Sequence, residues 1–206
     1  MRERAVLFLP LALFALAPPA SAADVWSWWV EPCTPEAAKR TACRANDPEL
    51  GQWALEAWQR ESNGSLVLEK AVSESTARVR IHWAGGADGL YGEAQPIMVD
   101  GKRGASIYVL PDLNGLGRDI AAEGNKDDLF RDTVVYLTCL HESGHAFGLQ
   151  HTRNFADIMY TFQFGGDFVE YFQRYRRALH KRADIAANSG ISDSDRRVFR
   201  SGLSNE

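Results

Sequence analysis

The 206-residue chain is poor in three features, each of which would have indicated a particular class of protein. It has only 3 cysteines, too few for a fold that several disulfides hold together. Its 23 Lys and Arg are outnumbered by 27 Asp and Glu, and this net charge of -4 argues against a nucleic-acid-binding protein. The apolar run near its N terminus, residues 6–16, is shorter than the roughly 20 residues that cross a bilayer, so we expect no membrane span.

What the chain does contain is the composition of a globular domain. Hydrophobic residues make up 45% and charged residues 24%, proportions that exclude a disordered or collagen-like chain. The length fits a single domain with a core of its own.

The N-terminal residues have the order of a secretory signal peptide. Arg2 and Arg4 precede the apolar run, and the small residues 20–22 (Ala-Ser-Ala) follow it as a cleavage site. An N-terminal membrane anchor is the alternative, but the run is short and Pro10 interrupts it. We therefore expect residues 1–22 to be removed and the mature protein to be secreted, to the periplasm or the extracellular space.

Export would place the cysteines in an oxidising compartment. Cys33 and Cys43 lie close together among polar residues and prolines, which predicts a disulfide within an N-terminal segment of residues 23–46. In the alternative, the Cys33 thiolate binds a metal and keeps an enzyme latent, but its flanks lack the Arg and Gly that would support such a switch. Cys139 is expected to be a small, buried core residue.

Hydrophobic periodicity predicts an α+β fold with a mixed sheet of about four or five strands. Alternation of apolar and polar residues indicates strands at residues 66–72, 77–83, 91–99 and 105–110. Apolar residues at three- and four-residue spacing indicate helices from Asp47 to the turn signal at 63–64, over 127–147, over 168–179 and from Ser192 to about Leu203. We expect Trp26, Trp28 and Trp29 to pack onto this domain and hold the N-terminal segment against it, rather than to stay exposed.

The strongest chemical signal lies in residues 141–151, His-Glu-Ser-Gly-His-Ala-Phe-Gly-Leu-Gln-His. On a helix, His141 and His145 are one turn apart and point the same way, so both imidazoles can bind one ion. Gly148 can adopt a positive φ and end the helix, which lets His151 return as a third ligand. Three protein ligands leave a position for water, as in catalytic zinc sites, and Glu142 lies where its carboxylate can take a proton from that water.

Chance is one alternative explanation of this pattern, but the pattern should arise by chance only about once in 10⁵ chains of this length. A second alternative is that the histidines merely fill the core. This would not explain why Glu142 lies among apolar neighbours or why Gly148 is present. We therefore expect one catalytic zinc ion, bound by His141, His145 and His151.

The pattern resembles the signature of the metzincin zinc metallopeptidases, whose methionine turn is matched here by Met159 in Asp-Ile-Met-Tyr. Thr152 after the third histidine and Tyr160 directly after the methionine are closest to the matrixins, the matrix-metalloproteinase-like family. The resemblance covers about residues 47–206 and is specific over 141–160. It implies a zincin-like catalytic domain with C-terminal helices, Met159 as an apolar floor beneath the zinc, and Tyr160 in the cleft wall.

The chain also departs from the matrixins of animals. The segment 23–46 is too short for a cysteine-switch prodomain, so a bacterial-type secreted form is implied. Only His82 lies in the strand region that holds a structural zinc in those enzymes, and a lone histidine there is expected to be a packed or surface residue. Calcium is a second candidate cofactor through Asp88, Asp112 and Asn114, although plain turns explain loops without ordered ligand spacing better.

The expected function is that of a secreted zinc-dependent endopeptidase, which hydrolyses peptide bonds by metal-activated water with Glu142 as general base. Residues 105–110 are the expected cleft edge, where an extended protein or peptide substrate adds as a strand. Two alternatives stay open: an exported non-catalytic binding protein with structural zinc, which would not need Glu142, and a hydrolase of cell-wall peptide cross-links. We expect a monomer without a nucleic-acid partner; whether a separate inhibitor restrains it stays open. The role of the basic residues within 168–187 stays open.

Overall fold

The structure, a computed structural model, describes residues 23–86 and 91–203. The predicted signal peptide, residues 1–22, and the candidate calcium ligand Asp88 lie outside the described residues. The described chain is an α+β protein with a mixed five-stranded sheet, which confirms the α+β class and the mixed sheet that periodicity predicts.

Five strands and seven α-helices follow one another in the described ranges. The strands are β1 (Asp24–Val30), β2 (Leu66–Lys70), β3 (Val79–Trp83), β4 (Gly92–Val99) and β5 (Lys102–Val109). The helices are α1 (Pro35–Thr41), α2 (Asp47–Glu61), α3 (Arg118–Lys126), α4 (Asp128–Ala146), α5 (Phe168–Arg176), α6 (Asp184–Ala187) and α7 (Asp193–Leu203). Periodicity did not predict the short helices α1, α3 and α6. None of the helices in these ranges has both the length and the apolar composition that crossing a membrane requires.

The five strands form one sheet in the order β2-β1-β3-β5-β4. The neighbours β2-β1, β1-β3 and β3-β5 are parallel, whereas β4 runs antiparallel to β5. Among the described strands, β4 is therefore at an edge and β5 is interior. The prediction that residues 105–110 form the cleft edge is wrong, because β5 pairs on both sides. Its continuous buried run at 104–107 is typical of an interior strand.

The tryptophan-rich N-terminal segment is a strand, β1, inserted between β2 and β3. Trp26 and Trp28 are buried, while Trp29 faces the other side of the sheet, where its ring lies 5.5 Å from that of His82. The expected packing of these tryptophans is confirmed, but the strand itself was not predicted. Their alternating burial is the period-2 pattern of a strand.

Helices α2 and α4 lie side by side and contact the sheet. The indole of Trp58 in α2 is fully buried, and its Nε1–H donates to the Leu140 carbonyl of α4 at 2.9 Å. Near the start of both helices, the buried guanidinium of Arg131 forms an ion pair with the buried carboxylate of Asp47. These contacts fix α4, which carries the conspicuous histidines, against the core.

Several basic residues of 168–187 form ion pairs or ring contacts with other residues of the protein. Their ion pairs include Arg176–Asp127, Arg177–Glu170 and Arg182–Asp132, with N···O distances of 2.7, 2.6 and 2.8 Å. Arg174 lies over the ring of Tyr171, 4.4 Å from its centroid. Asp127 and Asp132 belong to the cap and first turns of α4, so Arg176 and Arg182 tie the C-terminal part of the chain to α4.

Cys33 and Cys43 form the predicted disulfide, with a sequence separation of 10 residues. Cys139 is a free, fully buried thiol within α4, also as predicted. Burial raises the pKa of the Cys139 thiol, which keeps it protonated and unreactive. A disulfide of this kind is typical of proteins in oxidising compartments.

Replacing both Cys33 and Cys43 by alanine should lower the free energy of unfolding by about 2–3 kcal/mol, because the unfolded chain loses a cross-link that closes a short loop. Chemical unfolding of the parent and the double variant, followed by tryptophan fluorescence, measures the difference. Thiol titration of the unreduced parent is the control. It should show no reactive thiol in the native protein and only Cys139 after unfolding; further reactive thiols after unfolding would contradict the pairing.

Candidate metal centre

Helix α4 presents two candidate ligands on one face. It is capped by Asp127, whose carboxylate accepts hydrogen bonds from the N–H groups of Leu129 at 2.9 Å and Phe130 at 3.2 Å. His141 and His145 follow in the last turns of the helix. Their ring centroids are 4.9 Å apart, as the four-residue spacing on a helix requires.

The chain reverses after α4 and brings back the third histidine. Gly148 has a φ of 92°, in the left-handed region that favours glycine, and its N–H donates to the His145 carbonyl at 2.9 Å. His151 then lies with its Nε2 3.2 Å from the Nε2 of His141 and 3.0 Å from the Nε2 of His145. The turn expected at Gly148 therefore assembles all three histidines.

The distances between these nitrogens fit the coordination of a small divalent ion. Metal–nitrogen bonds of about 2.0–2.1 Å at tetrahedral angles place ligand nitrogens about 3.3–3.4 Å apart. The ligand atoms of the three histidines all lie within 4.8 Å of one another. No other group of His, Cys, Asp or Glu is gathered in this way within residues 23–86 and 91–203. The three histidines can therefore hold a metal ion.

Backbone carbonyls determine which nitrogen of each imidazole is available. His141 Nδ1 is 2.7 Å from the Ile158 carbonyl oxygen, and His145 Nδ1 is 2.8 Å from the Leu149 carbonyl oxygen. Because a carbonyl only accepts, each Nδ1 carries a proton and donates it, which leaves the Nε2 lone pair directed at the other ligands. Lone pairs that face one another at such distances repel unless a cation lies between them, so the donor set fits a metal.

The three imidazoles are neutral at physiological pH. Burial lowers the pKa of His141 to about 3, and the neighbouring His145 and His151 act in the same direction. Burial also lowers the pKa of His145 and that of His151. Neutral imidazole is the form that binds a metal, so the site need not first release protons.

The turn of residues 157–160, which contains Met159 and is called the methionine turn for that residue, packs against the helix turn between His141 and His145. Met159 is fully buried, and a Cβ added at Gly144 would lie 2.5 Å from its Sδ. Asp195 in the first turn of α7, itself buried, accepts hydrogen bonds from the N–H groups of Ile158 at 2.7 Å and Met159 at 3.4 Å. Helix α7 therefore holds the turn whose Ile158 carbonyl orients His141.

The histidines open into a cleft of about 380 Å³ between β4 and the segment after the methionine turn. One wall comes from residues 91–94, the other from 161–163, and the floor from the histidines and Glu142. Tyr160 is buried beside this segment, and its hydroxyl donates to the Gly165 carbonyl at 2.6 Å. The family resemblance implied that Tyr160 lies in the cleft wall. In the structure this wall begins one residue later, at Thr161.

Glu142 is buried against β4, with only 4% of its surface exposed. A Cβ added at Gly92 would lie 2.6 Å from Glu142 Oε1 and 2.7 Å from Thr138 Cγ2, so only glycine allows β4 to pass this close. Burial raises the pKa of Glu142 to about 8, and the carboxylate of Glu93 adds to the rise. A cation held by the histidines would lower the pKa of Glu142 and so favour the ionised carboxylate.

The wall residues at 91–94 and 161–163 were missed by the sequence analysis, which assigned the cleft edge to residues 105–110. Pro96 within the strand predicted at 91–99 was the available signal. Proline lacks the N–H that an interior strand needs, so it is found mainly in edge strands.

The remaining metal-ligand candidates have other partners. The ring of His82 is stacked on that of Tyr108, with centroids 5.1 Å apart, as expected for a packed histidine. Asp112 Oδ1 accepts hydrogen bonds from the backbone N–H of Asn114 at 3.0 Å and from its Nδ2 at 2.8 Å. These hydrogen bonds are typical of a plain turn, so the oxygen-bearing side chains of Asp112 and Asn114 are explained without a calcium ion.

The chain matches no protein-family model, no curated protein and no solved structure.

His151→Ala should lose most of its zinc affinity, because His141 and His145 alone cannot complete a tetrahedral site. His180→Ala, which removes an exposed histidine outside the cleft, is the matched control. After dialysis against a weak chelator, atomic emission should find about one zinc per chain in the parent and the control and far less in His151→Ala. Full zinc content in His151→Ala would show that another residue is the third ligand.

Proposed function

We propose that the protein is a secreted zinc-dependent endopeptidase of the metzincin type, most similar to the matrixins. The observation that carries the proposal is one cleft whose floor combines three neutral, converging imidazoles with the buried carboxylate of Glu142, beneath the edge strand β4. The disulfide between Cys33 and Cys43 supports a site of action outside the reducing cytosol.

Three imidazoles with one open position are the ligand set of catalytic zinc sites. When bound, zinc supplies a Lewis acid that polarises a peptide carbonyl and makes water more acidic. The carbonyls of Leu149 and Ile158 keep His145 and His141 in the orientation that such binding needs. Glu142 takes a proton from the attacking water on a carboxylate oxygen and delivers it to the nitrogen of the leaving amine.

Strand β4 offers a ladder of backbone groups to an extended peptide. The Leu110 N–H donates to the Tyr91 carbonyl at 3.0 Å, so the odd-numbered residues of β4 bond to β5 in this antiparallel pair. The alternate residues Gly92, Ala94 and Pro96 direct their backbone groups to the free edge. Gly92 and Ala94 offer both N–H and C=O there, whereas Pro96 lacks the N–H and limits the ladder. A peptide would bind beside Gly92 and Ala94 by strand addition.

This ladder lies next to the residues that perform the chemistry. Gly92 packs against Glu142 and Thr138 of α4 without an intervening side chain. A peptide paired with Gly92 would therefore be held close to the Glu142 carboxylate and the histidines. Holding the peptide next to the reacting groups makes the step effectively unimolecular, and this effect supplies a large part of enzymatic rate enhancement.

Glu142→Gln should remove most peptide hydrolysis and leave the metal in place. The amide keeps the size of the side chain but cannot take up a proton, and general acid–base assistance is typically worth about 10²–10⁴-fold. We expect kcat/KM on fluorogenic peptides to fall by about that factor, with zinc content and Tm near those of the parent. Parental activity in the zinc-loaded variant would exclude Glu142 as the base. An exported binding protein with structural zinc would instead show no hydrolysis even in the parent.

Gly92→Ala tests the close approach of β4 to Glu142. The added methyl group would overlap Glu142 Oε1 and Thr138 Cγ2, so either the strand or the carboxylate must move. Activity should fall by about tenfold or more, with zinc content unchanged, because misplacement by about 1 Å can cost about 10²-fold. Gly202→Ala adds a methyl group in α7 where no atom lies within 4 Å, and it is the matched control. Gly92→Ala with the activity of the control would show that this contact is not needed.

A further inference from the structure

Glu93 is a charged residue of the cleft rim that the proposed chemistry does not use. It follows Gly92 in β4, is exposed to solvent, and lines the cleft together with Glu142 and the histidines. Within the described residues its carboxylate has no ion pair or hydrogen bond, and no lysine or arginine lines the cleft. The rim therefore carries a negative charge that the protein itself does not neutralise.

The register of β4 determines what an arriving peptide places opposite Glu93. Glu93 pairs with Tyr108, and like Tyr91 it directs its backbone hydrogen bonds inward to β5. On the free edge, an antiparallel peptide residue opposite Glu93 is therefore in a non-hydrogen-bonded pair, flanked by the bonds to Gly92 and Ala94. The Cα atoms of such a pair are about 4.5 Å apart, closer than in a hydrogen-bonded pair.

The two side chains of this pair also share one face of the sheet. The side-chain direction of Gly92 points at Glu142 on α4, so strand alternation makes Glu93 project from the other face. Residues directly opposite each other project from the same face. The peptide side chain would thus lie beside the Glu93 carboxylate at the cleft rim and would meet its charge directly.

We propose that Glu93 makes the enzyme selective for peptides that carry lysine or arginine at the residue paired with it. The inference rests on the proposed endopeptidase function and names its substrate class, extended segments of basic peptides. Opposite charges directly across an antiparallel pair attract, and like charges repel, so acidic residues at this position are disfavoured. The long stems of lysine and arginine can lie along β4 while their charged ends reach the carboxylate.

The test uses fluorogenic peptides of one host sequence in which each position in turn is lysine, glutamine or glutamate. Values of kcat/KM are measured for the zinc-loaded parent, Glu93→Gln and Glu93→Lys. We expect one position at which the parent prefers lysine to glutamate by about 5- to 10-fold, because the attraction of lysine and the repulsion of glutamate both contribute to the ratio. This preference should nearly vanish in Glu93→Gln, reverse in Glu93→Lys, and weaken as salt is added.

Glu69→Lys is the matched control, because it makes the same charge change on an exposed residue of β2, at the opposite edge of the sheet. It should leave the preference at its parental value, and zinc content and Tm check that every variant is folded. If the parent cleaves the peptides and both Glu93 variants keep its preferences, the inference is overturned and the proposed function stands. If the zinc-loaded parent cleaves none of the peptides, both are overturned.

Discussion

Two backbone carbonyl groups orient imidazoles of the candidate metal centre, and much of the fold serves to place those carbonyls. That of Leu149 follows the chain reversal at Gly148, and that of Ile158 belongs to the methionine turn. Asp195 accepts the Ile158 N–H at 2.7 Å and so connects the turn to α7. An imidazole without its carbonyl partner could rotate and direct its Nε2 elsewhere. The ligand set therefore depends on tertiary structure as much as on the spacing of histidines.

The sheet supplies a second constraint, because its antiparallel edge strand β4 has to lie close to the buried carboxylate of Glu142. Strands β2, β1, β3 and β5 pair in parallel, and the antiparallel β4 forms the edge of the sheet next to α4. Gly92 lets this strand contact Glu142, Pro96 limits its ladder, and Glu93 places a charge on its outer side. In the proposed function, residues 92–96 of β4 would thus position Glu142, bind the peptide and select its side chain.

The histidine cluster could be predicted from sequence because its causes are local: helix geometry aligns His141 with His145, and a glycine turn returns the chain. The cleft edge had a weaker signal, because residues 91–99 and 105–110 both alternate. Only Pro96 marks the first stretch as an edge strand, and long-range pairing with β3 makes the second stretch interior. Strand β1 was missed for the same reason, since its partners β2 and β3 lie far along the chain. The contact of Asp195 with Ile158 spans 37 residues and has no local signature.

The most direct test of zinc-dependent peptide hydrolysis is whether the metal-stripped protein regains peptide cleavage when zinc is returned. The purified protein is stripped with a chelator, dialysed and titrated with zinc, and cleavage of a random peptide library is followed by mass spectrometry. The stripped protein should cleave no peptide, and cleavage should recover with zinc, saturate at about one zinc per chain, and not recover with calcium or magnesium alone. Cleavage that persists after complete metal removal, or a zinc-loaded protein that cleaves no peptide, would contradict zinc-dependent peptide hydrolysis.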